Sequence, residues 1–122
     1  SNINLPVNMA GWFVPFKVEE PTFIPIPTEK TYSNVVGLDR IKMVYENKNE
    51  TITVWATSKI GWNVVSNWDE QINLPKGITG HYNEEYNTKM LSWRKGKVEY
   101  AIDYKGQNLS KDNLIQLATS IN

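Results

Sequence analysis

Groups able to do chemistry are sparse in these 122 residues: one histidine, no cysteine, and 13 carboxylates set against 13 basic side chains. Without cysteine there is no thiolate nucleophile, no disulfide and no Cys-based zinc site. His81 stands in the pattern H-x-x-E-E with Glu84 and Glu85, which lacks the second histidine of H-E-x-x-H and of its inverted form. It reads as a half-exposed strand histidine beside a solvated acidic pair. Glycoside hydrolysis needs only two carboxylates at a fixed separation. The candidates Glu19-Glu20, Asp69-Glu70 and Glu84-Glu85 are adjacent in sequence, and adjacent side chains on a strand point to opposite faces. The seven glycines are scattered singly, with no G-x-G-x-x-G or Walker loop to cradle a phosphate. The expectation is a protein that is not an enzyme and has no catalytic residues, metal or cofactor.

Tryptophan is the residue type in excess, with five in the chain: Trp12, Trp55, Trp62, Trp68 and Trp93. An exposed indole is a stacking platform for a sugar ring or one wall of an apolar groove, whereas a buried one fills the core of a small domain. Trp93 alternates in phase with Leu91 and is expected inside. Trp55 shares its strand face with threonines, and Trp62 and Trp68 fall in a polar connection with Asn63, Asn67 and Asp69. Trp55, Trp62 and Trp68 are therefore the candidate ligand-binding residues. Arg94, Lys95 and Lys97 read as a solvated basic hairpin tip.

The elements that must position these residues follow from period and punctuation. Pro6, Pro15, Pro21, Pro25 and Pro27 exclude a long helix from the first 28 residues. Residues 1–13 read as a leader or linker, Val14–Val18 as a short strand and Pro21–Pro27 as an extended, edge-like segment. Ile41, Met43 and Tyr45 alternate with Lys42, Val44 and Glu46. Across the turn Asn47-Lys48-Asn49, Ile52, Val54 and Ala56 alternate with Thr51, Thr53, Trp55 and Thr57, which predicts a hairpin. A second hairpin joins Lys89–Trp93 to Lys97–Tyr104 around Arg94-Lys95-Gly96. Its second strand turns Val98, Tyr100, Ile102 and Tyr104 one way and Glu99, Ala101 and Asp103 the other. Gln71–Leu74 and Thr79–Tyr82 suggest two further strands, separated by Pro75-Lys76-Gly77. After Ser110, a good N-cap, Leu114, Ile115, Leu117, Ala118 and Ile121 form one helical stripe. The predicted fold is α+β, a single domain over residues 14–122. It is a curved, meandering antiparallel sheet with a C-terminal amphipathic helix packed on one face.

Net charge is zero overall, and it is also balanced between the two halves of the chain, which argues against a nucleic-acid partner. No apolar run approaches the roughly 20 residues that span a bilayer. The chain opens Ser1-Asn2 without an initiating Met, as an excised segment of a membrane-anchored or exported precursor would.

The closing stretch carries a resemblance. Leu91-Ser92-Trp93-Arg94-Lys95-Gly96-Lys97-Val98-Glu99-Tyr100, then Leu109-Ser110 and Leu117-Ala118-Thr119-Ser120-Ile121, resemble the end of the Gram-positive bacterial family known as the domain of unknown function numbered 4367. Pro21-Thr22-Phe23-Ile24-Pro25 and the hairpin from Met43 to Trp55 look like earlier parts of it. The resemblance implies an extracytoplasmic domain, distantly similar to the LolA-like lipoprotein carriers, and transfers no catalytic residue. The functional expectation is a non-enzymatic extracytoplasmic domain that binds a protein or small ligand in envelope sensing or regulation. The alternatives are a carbohydrate or cell-wall binding module using exposed tryptophans, and a LolA-like lipid carrier.

Overall fold

A computed structural model describes residues 3–59, 61 and 68–121. Seven strands form one antiparallel sheet: β1 (Lys30–Val36), β2 (Arg40–Glu46), β3 (Thr51–Thr57), β4 (Glu70–Leu74), β5 (Ile78–Glu85), β6 (Thr88–Lys95) and β7 (Val98–Lys105). A C-terminal helix, α1 (Lys111–Thr119), follows. The spatial order is β1-β2-β3-β7-β6-β5-β4. Two meanders, β1 to β3 and β4 to β7, are thus joined edge to edge by the β3–β7 ladder. The fold class is α+β, as the hydrophobic periods predict.

The alternation read from sequence sets the two faces. Ile41 of β2 pairs with Ala56 of β3, Ala56 with Tyr100 of β7, and Tyr100 with Trp93 of β6. The next inward row runs Met43, Val54, Ile102, Leu91 and Tyr82. All of these are buried, and α1 closes the face with Leu114, Leu117 and Ala118. Trp93 and Tyr100 stack within this core, with ring centroids 5.3 Å apart. The helix starts where expected: the Ser110 hydroxyl accepts from the Asn113 N–H, and the Asn113 side chain accepts in return from the Ser110 N–H. This reciprocal cap satisfies donors that the first helical turn leaves without partners.

Gly96 at φ 62° makes the tight link between β6 and β7. Arg94 and Lys95 continue β6 rather than forming the turn, so the loop is Gly96-Lys97.

The N-terminal third departs from expectation. Val14–Val18 forms no strand, and the extended Pro21–Pro27 segment joins no sheet edge. Prolines deny this segment a donor ladder, and it is fixed by side chains instead. The Thr22 and Phe23 N–H groups donate to the Ser120 hydroxyl at 3.1 and 3.2 Å, which ties the strap to the end of α1. Ile26 of the strap is buried in the core cluster. Strand β1, whose polar Lys30-Thr31-Tyr32-Ser33-Asn34 start masks any period, was not foreseen. Within residues 1–13, a 3₁₀ helix over Val7–Phe13 sends Val7 and Ala10 into the core cluster. Leu5 bridges Ser33 of β1.

One buried polar knot ties the turn end of the sheet together. Tyr104 is 1% exposed, and its hydroxyl donates to Glu50 at 2.7 Å and accepts from the N–H groups of Asn108 and Leu109. Glu50 is itself buried and takes a second bond from the Asn47 amide. Gly106 lies beside the knot at φ 152°, and a Cβ there would collide with the Tyr104 hydroxyl. Removing that hydroxyl strands a buried carboxylate oxygen and two backbone donors, each costly to leave unpaired. Tyr104→Phe is therefore expected to lower unfolding free energy by roughly 1–3 kcal/mol in urea titration. A loss near zero would mean that water replaces the hydroxyl.

Candidate functional site

The outward residues of β2, β3, β7 and β6 form a small ordered patch. In one cross-strand row Lys42 faces Trp55, and Trp55 faces Ala101. In the next, Thr53 faces Asp103, and Asp103 faces Met90. In the third, Thr51 faces Lys105, and Lys105 faces Thr88. Period-two alternation puts all three rows on the side opposite the helix. Lys42, Trp55, Thr53, Asp103 and Met90 from these rows line a depression of about 580 Å³, together with Thr51, Lys105 and Thr88.

Trp55 and Asp103 meet across the ladder. The indole N–H of Trp55 donates to Asp103 Oδ2 at 3.2 Å, while the Lys42 ammonium lies 5.7 Å from the centroid of the same ring. The other carboxyl oxygen, Asp103 Oδ1, is buried and has no hydrogen-bond partner among the described residues. Burial pushes the Asp103 carboxyl above its ordinary value, and the Trp55 N–H bond opposes that shift only in part. A buried acceptor left without a donor is costly to the fold.

The predicted site residues separate. Trp55 is half-buried on the wet face, as its threonine neighbours imply. Trp68 packs on His81, with centroids 5.6 Å apart and planes tilted by 33°. His81 belongs to the row that runs from Trp55 through Ala101 and Ser92, so the two aromatic groups sit three strand spacings apart, roughly 14 Å. Ala101 and Ser92 between them are buried, and Trp55 and Trp68 do not make one continuous open platform. Trp62 lies outside the described residues. Trp93 is core, and Trp12 is 73% exposed on the 3₁₀ helix.

Two of the candidate carboxylate pairs, Asp69-Glu70 and Glu84-Glu85, are brought together by the β4–β5 ladder, where Glu70 faces Tyr82. Asp69, Glu70 and Glu84 are engaged in holding that edge, and Glu85 is exposed. The Tyr82 hydroxyl donates to Glu84 at 2.7 Å, the Glu84 N–H donates to Asp69, and Lys111 of α1 pairs with Glu70 at 2.8 Å. Glu19 lies 3.9 Å from Lys95. Among the described residues no cluster of three or more carboxylate or histidine groups could hold a metal ion.

Other spaces among the described residues compete with the Trp55 depression, one of them a recess of about 180 Å³ at Lys17, Glu19 and Ser120. Two recesses at the turn end, about 600 and 740 Å³, share Asn49 and Asn108 and are lined by turn amides without an aromatic wall. Between α1 and the sheet a crevice at Trp93, Ala118 and Ile121 measures about 50 Å³. That is less than a tenth of the depression on the opposite face.

Asp103 was not singled out from sequence. The signal was present in part, since the β7 alternation already places it outward with Glu99 and Ala101. What was missing is the β3–β7 pairing that sets it against Trp55. No protein-family model matches the chain, and neither a curated protein nor a solved structure matches it significantly. Among the described residues no helix is long and apolar enough to cross a membrane.

The raised Asp103 carboxyl has a consequence for stability. Below the unfolded value of 3.8 both states hold the proton. As pH rises above it the unfolded chain ionises first, and the fold loses stability until Asp103 also ionises. Asparagine keeps an acceptor for Trp55 and never ionises. Asp103→Asn is expected to unfold at a higher temperature than the parent at neutral pH. The gap should narrow as pH is lowered towards 3.8. A less stable variant at neutral pH would show instead that the carboxylate is well paired.

Proposed function

We propose that the chain is a non-enzymatic extracytoplasmic domain that binds a protein or ligand in envelope sensing or regulation, and that it does so on the wet face at Trp55. The observation that carries this reading is the Trp55–Asp103 pair. A half-buried indole that lines a depression is held in place by a hydrogen bond to the Asp103 carboxyl, which lines the same depression. Pockets that bind ligands combine such an apolar wall with a few convergent polar groups. Catalysis would need a second acid, a base or a nucleophile within reach. Asp103 is the one carboxyl lining the depression, and His81 lies away from it under Trp68. The extracytoplasmic part of the proposal rests on the resemblance of the C-terminal residues.

Of the two alternatives, the surface arrangement favours a carbohydrate over an acyl chain. Trp55 offers a ring, and Thr51, Thr53 and Thr88 offer hydroxyls around it. A crevice of about 50 Å³ under the helix is small for a lipid tail. Chemical-shift mapping with three soluble classes (an oligosaccharide, an acyl amphiphile and a peptide) tests the reading. One class is expected to move the resonances of Thr53, Trp55 and Met90 and to be recovered unchanged. Turnover of the added compound, or shifts confined to Trp93 and Leu117 in the core, would contradict it.

A further inference from the structure

The proline-rich strap lies on the helix side of the sheet, tied to α1 at Ser120 and to the end of β6 at Lys95. We propose that its residues 16–25 are a lid, closed by one clasp at Ser120 and hinged at buried anchors on either side, which opens as a unit while the sheet beneath stays folded. This device is independent of the Trp55 face.

The lid is held differently from the rest of the fold. Among the described residues, 16–25 make no backbone–backbone hydrogen bond, whereas every strand is bonded to a neighbour. The Thr22 and Phe23 N–H groups share one acceptor, the Ser120 hydroxyl, and the Thr22 hydroxyl donates to the Ser120 carbonyl at 3.3 Å. These bonds are exposed, beside the recess of about 180 Å³ that Thr22 and Ser120 help to line. The ion pair from Glu19 to Lys95 spans 3.9 Å, and the Glu19 oxygen involved has no hydrogen-bond partner among the described residues.

Both ends are fixed. Ala10 before the lid and Ile26 after it are buried in the core cluster, and the Pro27 carbonyl accepts from the Asn47 amide at 2.8 Å. A segment pinned at both ends with a single polar clasp between them can lift without breaking a ladder, and such local openings cost less than global unfolding. What the lid covers is apolar. Phe16, Val18 and Ile24 are partly buried and pack on the core cluster. Burial, with the Glu19 charge alongside, pushes the Tyr100 hydroxyl up to about 12. Opening brings water to these side chains and to Tyr100.

The chain has no cysteine, so one introduced thiol reports its own access to a soluble thiol reagent. Val18→Cys and Ile24→Cys place it on the packed side of the lid, before and after the clasp, and Val54→Cys places it in the sheet core. Each is labelled under native conditions, alone and combined with Ser120→Ala, after a thermal melt shows that it is folded. Alone, both lid thiols should react more slowly than in the urea-unfolded chain and faster than Val54→Cys. Ser120→Ala removes the acceptor of two N–H groups and should speed both lid thiols by a common factor of about ten, with Val54→Cys unchanged. Gln116→Ala, exposed on the same helix, should alter none of the three. Lid thiols as reactive as in the unfolded chain would overturn the proposal, because the lid would never be closed. Acceleration of only one lid thiol, or of Val54→Cys to the same extent, would overturn it too, as would no effect of Ser120→Ala or an equal effect of Gln116→Ala.

Discussion

The β3–β7 ladder is the constraint on which the rest of this structure depends. It pairs Thr51–Thr57 with residues 99–105 in antiparallel register and joins two meanders that are otherwise separate in sequence. On one face it sets Val54 against Ile102 and Ala56 against Tyr100, completing the core under α1. On the other it sets Thr53 against Asp103 and brings Trp55 within hydrogen-bonding distance of that carboxyl. Because side chains alternate with a period of two, slipping this register by one residue would exchange the faces. Core and candidate site are therefore two sides of the same ladder.

The cost of closing such a long-range joint is met by local devices at its ends. At the turn end, the Tyr104–Glu50 pair ties β7 to the hairpin that leads into β3, and the backbone entering α1 donates to the same hydroxyl. At the other end, Thr57 is buried and its hydroxyl donates to the Asp39 carbonyl, fixing β3 to the β1–β2 turn. Both devices hold the ladder with satisfied polar groups at its ends and leave its outward centre to Thr53 and Asp103. Asp103 is the exception among these polar groups, with one oxygen unfilled and its carboxyl held above the ordinary range by burial. Such departures from complete satisfaction tend to gather where function needs them.

Much of the fold was legible in the sequence where local period decides. The β2–β3 hairpin, the β6–β7 hairpin, both short strands around Pro75 and the helix after Ser110 follow from alternation and turn residues. Strand β1 was not legible, because Ser33 and Asn34 are polar yet buried. Their burial is supported by partners 27 to 31 residues away in the N-terminal segment. Val14–Val18, which reads as a short strand, folds without one, and the extended Pro21–Pro27 segment is held by bonds to Ser120, 98 and 97 positions away. For the candidate site, Trp55 was legible from its threonine neighbours, while Asp103 was not, since its partner lies 48 positions away. Trp68, read as a candidate ligand-binding residue, is partly buried and packs on His81, a contact that local period does not foretell.

The central claim is that one register builds both faces, and cross-strand nuclear Overhauser effects between β3 and β7 test it most directly. The account predicts backbone contacts that place Thr53 opposite Asp103 and Trp55 opposite Ala101. A ladder displaced by one residue, or contacts placing Trp55 on the helix side with Val54 turned outward, would contradict it.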